Sequence, residues 1–435
     1  MPDRRVLVRG GTVVDQHGER RADVLVEGAT IVALGEALAV PQGATVLDAG
    51  GCLVAPGLVD LHTHLRQPGG EVAETVETGT RAAALGGYTA VIAMPNTDPP
   101  LDNRSVVRHV LALGRSAPAQ VAVAAAITLG RRGEQLSPMG ELAQAGVTLF
   151  TDDGAGVQDA GVMRRALEYA GDLGVVLAEH CEDASLARGG HMHEGAWSSR
   201  LGIPGQPALA EEAMVARDIG LVRLTGTAMH FLHLSSAGSV ELVRQAKAAG
   251  LPVTAEVTPH HLVLSDAEVA SFDPVFKVSP PLRSGADLAA LRGALVDGTL
   301  DAVATDHAPH TAESKEHPFD QAPAGMIGLE TALGVVATYL DGSLAPVALF
   351  AAFSWQPARI ARLDQASGGR QGGPLEEGRP ANLVVFDPRE TWTVDATQMA
   401  SRSRNTPFGG RRLIGRVRHT LYEGEPVVVD HAAQR

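Results

Sequence analysis

Val59-Asp60-Leu61-His62-Thr63-His64-Leu65-Arg66, entered from Ala55-Pro56-Gly57, is the stretch on which the reading of this chain turns. Its apolar start reads as a buried strand, and residues two apart on a strand share a face, so His62 and His64 converge. Neutral imidazole is the commonest protein metal ligand, and two of them at a strand end suit a divalent ion. A pair of hydrogen-bonded core histidines would leave the same pattern. What decides between these readings is whether other strands end in ligands as well.

Outward from this stretch, short apolar runs alternate with amphipathic helical patterns, as in βα units around a parallel sheet. Eight runs read as strands: Leu58 to His64, Thr89 to Pro95, Val121 to Thr128, Val147 to Asp152, Val175 to His180, Ala228 to Leu234, Pro252 to Val257 and Ala302 to Asp306. Helical patterns fit between them at Glu71 to Leu85, Ala160 to Leu173, Ala208 to Leu221, Ser239 to Ala249 and Ala286 to Val296. The expected fold class is α/β, a TIM-like (β/α)₈ barrel with its site at the C-terminal ends of the strands. A doubly wound open sheet is the alternative, disfavoured because the first βα turn lacks GxGxxG.

Both ends of the chain are β-rich. Val6-Leu7-Val8, Gly11 to Val14, Ala22 to Val26 and Thr30 to Ala33 precede the barrel, and Pro380 to Phe386 and Glu425 to Val429 follow it. The expected organisation is a barrel over 56–365 and a small discontinuous β-sandwich domain over 1–55 and 366–435, with Ser367 to Pro374 as the candidate linker.

The 435 residues allow a sizeable core, and 45% hydrophobic with 20% charged residues is ordinary for a globular protein. No apolar run of membrane-spanning length and no signal-type h-region are found, so a cytoplasmic location is expected. Cys52 and Cys181 are too few for a disulfide framework, and Cys181 should face away from its neighbour His180. A net charge of −14 argues against nucleic acid or anionic membrane as partners. An anionic substrate must then be met by local cations in a pocket.

Four further strand ends carry candidate chemistry: Thr151-Asp152-Asp153-Gly154, Ala178-Glu179-His180-Cys181, Phe231-Leu232-His233-Leu234 and Thr305-Asp306-His307-Ala308-Pro309-His310. Nitrogen and carboxylate donors without thiolate suit Zn²⁺, with Mn²⁺, Co²⁺ and Fe²⁺ as alternatives. Four histidines plus carboxylates exceed the needs of one tetrahedral ion and point to two ions about 3.5–4 Å apart. Water on such a pair is acidified towards a pKa of roughly 7, which suits hydrolysis.

Taken in order, Asp60 to Gly69, Met94-Pro95-Asn96-Thr97, Phe150 to Gly154, Glu256-Val257-Thr258-Pro259-His260-His261-Leu262, Ala304 to His310 and Asn405-Thr406-Pro407-Phe408 make the chain, nearly end to end, resemble class I dihydroorotases of the amidohydrolase superfamily. The resemblance implies reversible opening of L-dihydroorotate to N-carbamoyl-L-aspartate, a step of pyrimidine biosynthesis, by a metal-bridging hydroxide. It makes His62 and His64 ligands of a first zinc, His180 and His233 ligands of a second, and Asp153 the bridge, with Asp152 kept as the alternative. Many relatives use a carbamylated lysine there; this strand offers none. Asp306 would touch the first zinc and act as general acid/base. His64, Arg66, Asn96, Ser279, His310, Ala324 and Gly325 would contact substrate. Arg66, two residues beyond His64 and so on the same strand face, would grip the ring carboxylate.

Ser279 departs from the asparagine usual in this class, which puts the affinity for substrate in question. Thr311 to Ala322, polar and without a clear helical pattern, reads as a loop closing over substrate. Adjacent residues on a strand face opposite ways, so His260-His261 reads as structural, and His191 and His193 read as solvated. A homo-oligomer and an aspartate carbamoyltransferase are the partners the resemblance suggests. Two other readings stand beside it: a hydantoinase, dihydropyrimidinase or allantoinase, and a catalytically silent partner of aspartate carbamoyltransferase. Arg66, Asn96, the missing lysine and the full set of ligands disfavour both.

Overall fold

The computed structural model describes residues 4–365 and 370–435. Eight parallel strands form its centre: β1 (Leu58–Thr63), β2 (Tyr88–Ala93), β3 (Gln120–Ala125), β4 (Leu149–Phe150), β5 (Val176–Glu179), β6 (Met229–Phe231), β7 (Val253–Val257) and β8 (Ala302–Val303). They pair in sequence order. Each matches one of the eight expected runs, because strands covered on both faces are almost continuously apolar and stand out. All six residues of β1 and all six of β2 are buried.

β8 closes on β1 through side chains and a single bridge, not through a full ladder. Thr63 pairs with His307. Asp60, on β1, accepts the Thr305 N–H at 2.8 Å and the Thr305 hydroxyl at 2.7 Å, and also the Thr63 hydroxyl. A buried carboxylate on a strand is tolerable only with such partners. Burial nevertheless pushes Asp60 up to about 6.

Helices fill the crossovers near the expected places, at Ala160–Leu173, Leu209–Thr225, Ala237–Ala248 and Gly285–Asp297. The first starts later than read, at Val76 instead of Glu71, because Thr75 caps it and forms a capping box with Thr78. Glu74, just before the cap, is buried and bonded to the Arg402 N–H, Ser401 and His307.

The two chain ends share one seven-stranded sheet, in the order Ala432–Ala433, Glu425–Val429, Arg412–Tyr422, Leu383–Thr393, Leu53–Pro56, Thr12–Asp15 and Gly18–Arg21. A second, four-stranded sheet holds Thr30–Gly35, Asp23–Glu27, Arg5–Arg9 and Thr45–Asp48. Between the sheets Val6, Val24, Val54, Leu383 and Leu421 pack in one apolar cluster. Sequence reading passes over Arg412–Tyr422, although it is a central strand, because its outward positions carry Arg412, Arg416 and Arg418. Of the proposed linker, 367–369 lie outside the described residues. Among those described, no helix is long and apolar enough to cross a membrane.

Candidate active site

The candidate ligands lie at or just beyond the C-terminal ends of the barrel strands, on one rim. His62 is on β1 and His64 one residue past it; Asp153, His180, His233 and Asp306 follow the ends of β4, β5, β6 and β8. Strand alternation aims only the first pair. His233 (φ 29°) and Asp306 (φ 44°) occupy the left-handed region, so local turns carrying some backbone strain point them inward.

The geometry centres on Asp153. Its Oδ2 lies 3.2 Å from His62 Nε2 and 3.5 Å from His64 Nε2, while its Oδ1 lies 3.5 Å from His180 Nδ1 and 3.4 Å from His233 Nε2. Each carboxylate oxygen therefore serves one histidine pair, and two groups able to hold a metal ion share this residue. Asp306 Oδ1 stands 3.1 Å from His64 Nε2 and 3.5 Å from His62 Nε2. Asp152 is occupied elsewhere, accepting the Thr128 N–H at 3.0 Å and its hydroxyl.

Two observations test whether these donors fit a metal. His62 Nε2 and Asp153 Oδ1 are buried without a hydrogen-bond partner among the described residues, which is costly unless something else satisfies them. The electrostatics agree. Burial should lower His62 and His180, yet the facing carboxylates Asp153, Asp306 and Glu182 raise His62 well above its ordinary value and His180 to about 10. The same burial should raise Asp153 and Asp306, yet the imidazoles hold both below the usual carboxylate range. The cluster calls for positive charge, and its donors suit a divalent ion.

Outer contacts set the imidazoles. His62 Nδ1–H points to Glu256 Oε1 at 3.3 Å, and His64 Nδ1–H donates to Asn96 Oδ1 at 2.9 Å, leaving both Nε2 lone pairs facing Asp153. Glu256 Oε2 also receives His230 Nε2–H at 3.0 Å; against the cost of burial, these two imidazoles hold Glu256 at about 2. Sequence reading quoted Glu256 without a role and passed over His230. The available signal was an acid inside the apolar strand Val253–Val257, which must be partnered.

Above the cluster opens a cavity of about 230 Å³, lined among others by Asp153, His180, His233 and Asp306 and by every expected substrate residue: His64, Arg66, Asn96, Ser279, His310, Ala324 and Gly325. Arg66 gets there differently from the expectation. β1 ends at Thr63 and Arg66 has φ 59°, so a turn and not a shared strand face brings it to the rim. Its Nε donates to the Pro309 carbonyl at 3.1 Å. His310 donates Nε2–H to the Ala324 carbonyl at 2.8 Å; burial and the neighbouring Arg66 pull it down to about 3, so it is neutral. Arg66 is then the permanent cation of the lining. Asn405, from the C-terminal segment, fixes this corner by donating to the Ala308 and Gly325 carbonyls at 3.0 and 3.1 Å and accepting the His310 N–H at 3.1 Å. Gly325 has φ 142°, and a Cβ there would stand 2.8 Å from His310 Nε2, so the close approach requires glycine.

Three further expectations change. Thr311 to Ala322 contains a short helix, Ala312–Lys315, capped by Thr311, and Lys315 Nζ donates to the Pro274 and Pro323 carbonyls at 3.0 and 2.8 Å. His193 is half-buried, its Nδ1 3.3 Å from Arg283 Nη1, and His191 is also half-buried. His260 and His261 sit on a short helix, Pro259–Val263, not on a strand. His261 is satisfied by Thr258 at 2.8 Å and the Pro280 carbonyl at 3.0 Å. Neither histidine joins the two metal groups. Cys181 is buried and packs in the outer apolar cluster.

A dihydro-orotase-like family model matches residues 51–239. The dihydroorotases of Pelotomaculum thermopropionicum and Streptomyces coelicolor are each 49% identical to this chain, over 98% of it and 99% of their own lengths. The chain belongs to the dihydroorotase family. The dihydroorotase of Mycobacterium tuberculosis is likewise 49% identical, over 98% of both chains. Among solved structures, the L-hydantoinase (dihydropyrimidinase) from Arthrobacter aurescens is similar to this family member with a TM-score of 0.89 at 25% identity, covering 100% of this chain and 98% of that one. The D-hydantoinase from a Bacillus sp. AR9 gives 0.83 at 27% identity, over 98% and 96%. Those cyclic-amide hydrolases are related in fold. The near-full-length likeness at 49% is to dihydroorotases.

Proposed function

We propose that this protein is a zinc-dependent dihydroorotase, interconverting L-dihydroorotate and N-carbamoyl-L-aspartate in pyrimidine synthesis. The observation that carries the reading is that a single cavity holds both Asp153-centred histidine pairs and the permanent cation Arg66. His62, His64 and Asp306 would hold one zinc ion, His180 and His233 the other, with Asp153 shared. When bound, the ions supply Lewis acidity that acidifies the attacking water and polarises the ring carbonyl.

The chain's own residues do the rest. Arg66 anchors the ring carboxylate, which orients the scissile C–N bond over Asp153 and Asp306. Asp306, held ionised by His62 and His64 against the cost of burial, takes the proton of the attacking water. As the C–O bond forms and the C–N bond breaks, it passes that proton to the departing ring nitrogen. Asn96 braces His64 through Oδ1 and keeps its amide group on the cavity wall. The main chain at Ala324 and Gly325 and the Ser279 hydroxyl complete the pocket.

We assign the enzyme to the cytoplasm and propose residues 56–365 as its barrel and 1–55 with 366–435 as its β domain. A homo-oligomer and an aspartate carbamoyltransferase are its proposed protein partners, and 311–322 its proposed substrate cover. Stripping the protein with a chelator and reconstituting it with zinc tests the chemistry. N-carbamoyl-L-aspartate should form from L-dihydroorotate only after reconstitution; turnover by stripped protein, or none by reconstituted protein, would contradict the reading.

A further inference from the structure

We propose that Glu182 is a positioning residue that sets the imidazole of His180 and engages the Ser279 hydroxyl proton, so that Ser279 meets substrate as a hydrogen-bond acceptor. This rests on the functional reading above. Glu182 lies two residues past His180, half-buried. Its Oε2 receives Ser279 Oγ–H at 3.1 Å and Gln206 Nε2–H at 2.7 Å, and stands 3.9 Å from His180 Nε2. Ser279 and His180 both line the cavity. One carboxylate oxygen thus bonds an expected substrate contact and forms a longer ion-pair contact with a candidate ligand.

For His180 the consequence is a tautomer. Nδ1 faces Asp153 and His233, so the proton must sit on Nε2 if Nδ1 is to offer a lone pair, and the Glu182 carboxylate, 3.9 Å away, is the anion on that side. Glu256 and Asn96 fix the tautomers of His62 and His64 by hydrogen bonds to Nδ1. For Ser279 the consequence is polarity. A hydroxyl has one proton and two lone pairs; with the proton given to Glu182, only lone pairs face the cavity. Ser279 then selects an N–H of a cyclic amide over a ring carbonyl. The carboxylate is braced from behind, since Arg283, itself buried, donates Nη1–H to the Gln206 carbonyl at 2.9 Å and Nε–H to Ser235 Oγ at 3.0 Å, two residues past His233.

The test compares Ser279→Ala, Glu182→Ala, their double variant and Glu182→Gln. Zinc affinity is measured by chelator competition without substrate, and KM and kcat with L-dihydroorotate. Glu182→Ala should weaken the zinc that His180 and His233 would hold about 10–100-fold, while Ser279→Ala keeps wild-type zinc affinity. Ser279→Ala should raise KM about tenfold with kcat within about twofold. In the Glu182→Ala background the same change should raise KM less than about threefold, since the hydroxyl is no longer oriented. Glu182→Gln, which keeps an acceptor oxygen, should recover most of the zinc affinity and so separate the role from a folding defect. Unchanged zinc affinity in Glu182→Ala, or KM effects that simply multiply, would overturn the proposal. The zinc measurement needs no substrate. A protein that binds zinc as described yet leaves L-dihydroorotate closed would overturn the functional reading while still deciding the role of Glu182.

Discussion

At the scale of residues, Asp153 and Asp306 divide the work by position. Asp153 is shared between two histidine pairs, whereas Asp306 stands within 3.5 Å of His62 and His64; both line the cavity. Replacing Asp306 by Asn should therefore leave most of the zinc in place and lower kcat by about 10²–10⁴-fold, read from metal content and turnover of one preparation. Near-normal turnover would remove Asp306 from the proton transfer. The candidate ligands stood out in the sequence because they recur at strand ends in a barrel order, and the structure brings them together. Their aim was less legible. His233, Asp306 and Arg66 reach the site through positive-φ turns, which side-chain alternation cannot describe. Glu256 and Asn405 were quoted without a role, and Glu182 passed over, because their partners lie far away in sequence.

Elements meet in this fold through buried acids, and these give pH and stability predictions. Asp60 stitches β1 to β8, so Asp60→Ala should strand the Thr305 N–H and cost about 2–4 kcal/mol, measured by denaturant unfolding. Glu330 accepts the Ala400 and Ser401 N–H groups at 2.9 and 3.2 Å, where burial, helped by Glu74, pushes it up to about 7. A carboxyl with a raised folded pKa contributes stability that is full below its unfolded value of 4.5 and is lost as pH rises towards 7. Glu330→Gln, which keeps the accepting oxygen, should thus flatten the decline between pH 5 and pH 8 by about 1–2 kcal/mol. An unchanged pH profile would show that Glu330 ionises freely. Apolar runs made the barrel strands visible in sequence. The helix at Val76 and the strand Arg412–Tyr422 were blurred because a cap and alternating arginines decide them.

Across the whole molecule, the barrel alone does not finish the site. Asn405, far along the chain after the last barrel strand, holds the corner where His310 and Gly325 line the cavity. The net charge of −14 would repel an anionic ring acid, and Arg66 supplies the local exception. Specificity for a ring carboxylate then rests on Arg66. A pocket whose guanidinium is left without its carboxylate partner discriminates by about 10⁴-fold against a substrate lacking that group. The direct measurement is kcat/KM for L-dihydroorotate and for hydantoin on the same zinc-replete preparation. The structure predicts that L-dihydroorotate is opened and hydantoin is disfavoured by about that factor; zinc-replete protein that opens hydantoin while leaving L-dihydroorotate untouched would contradict it.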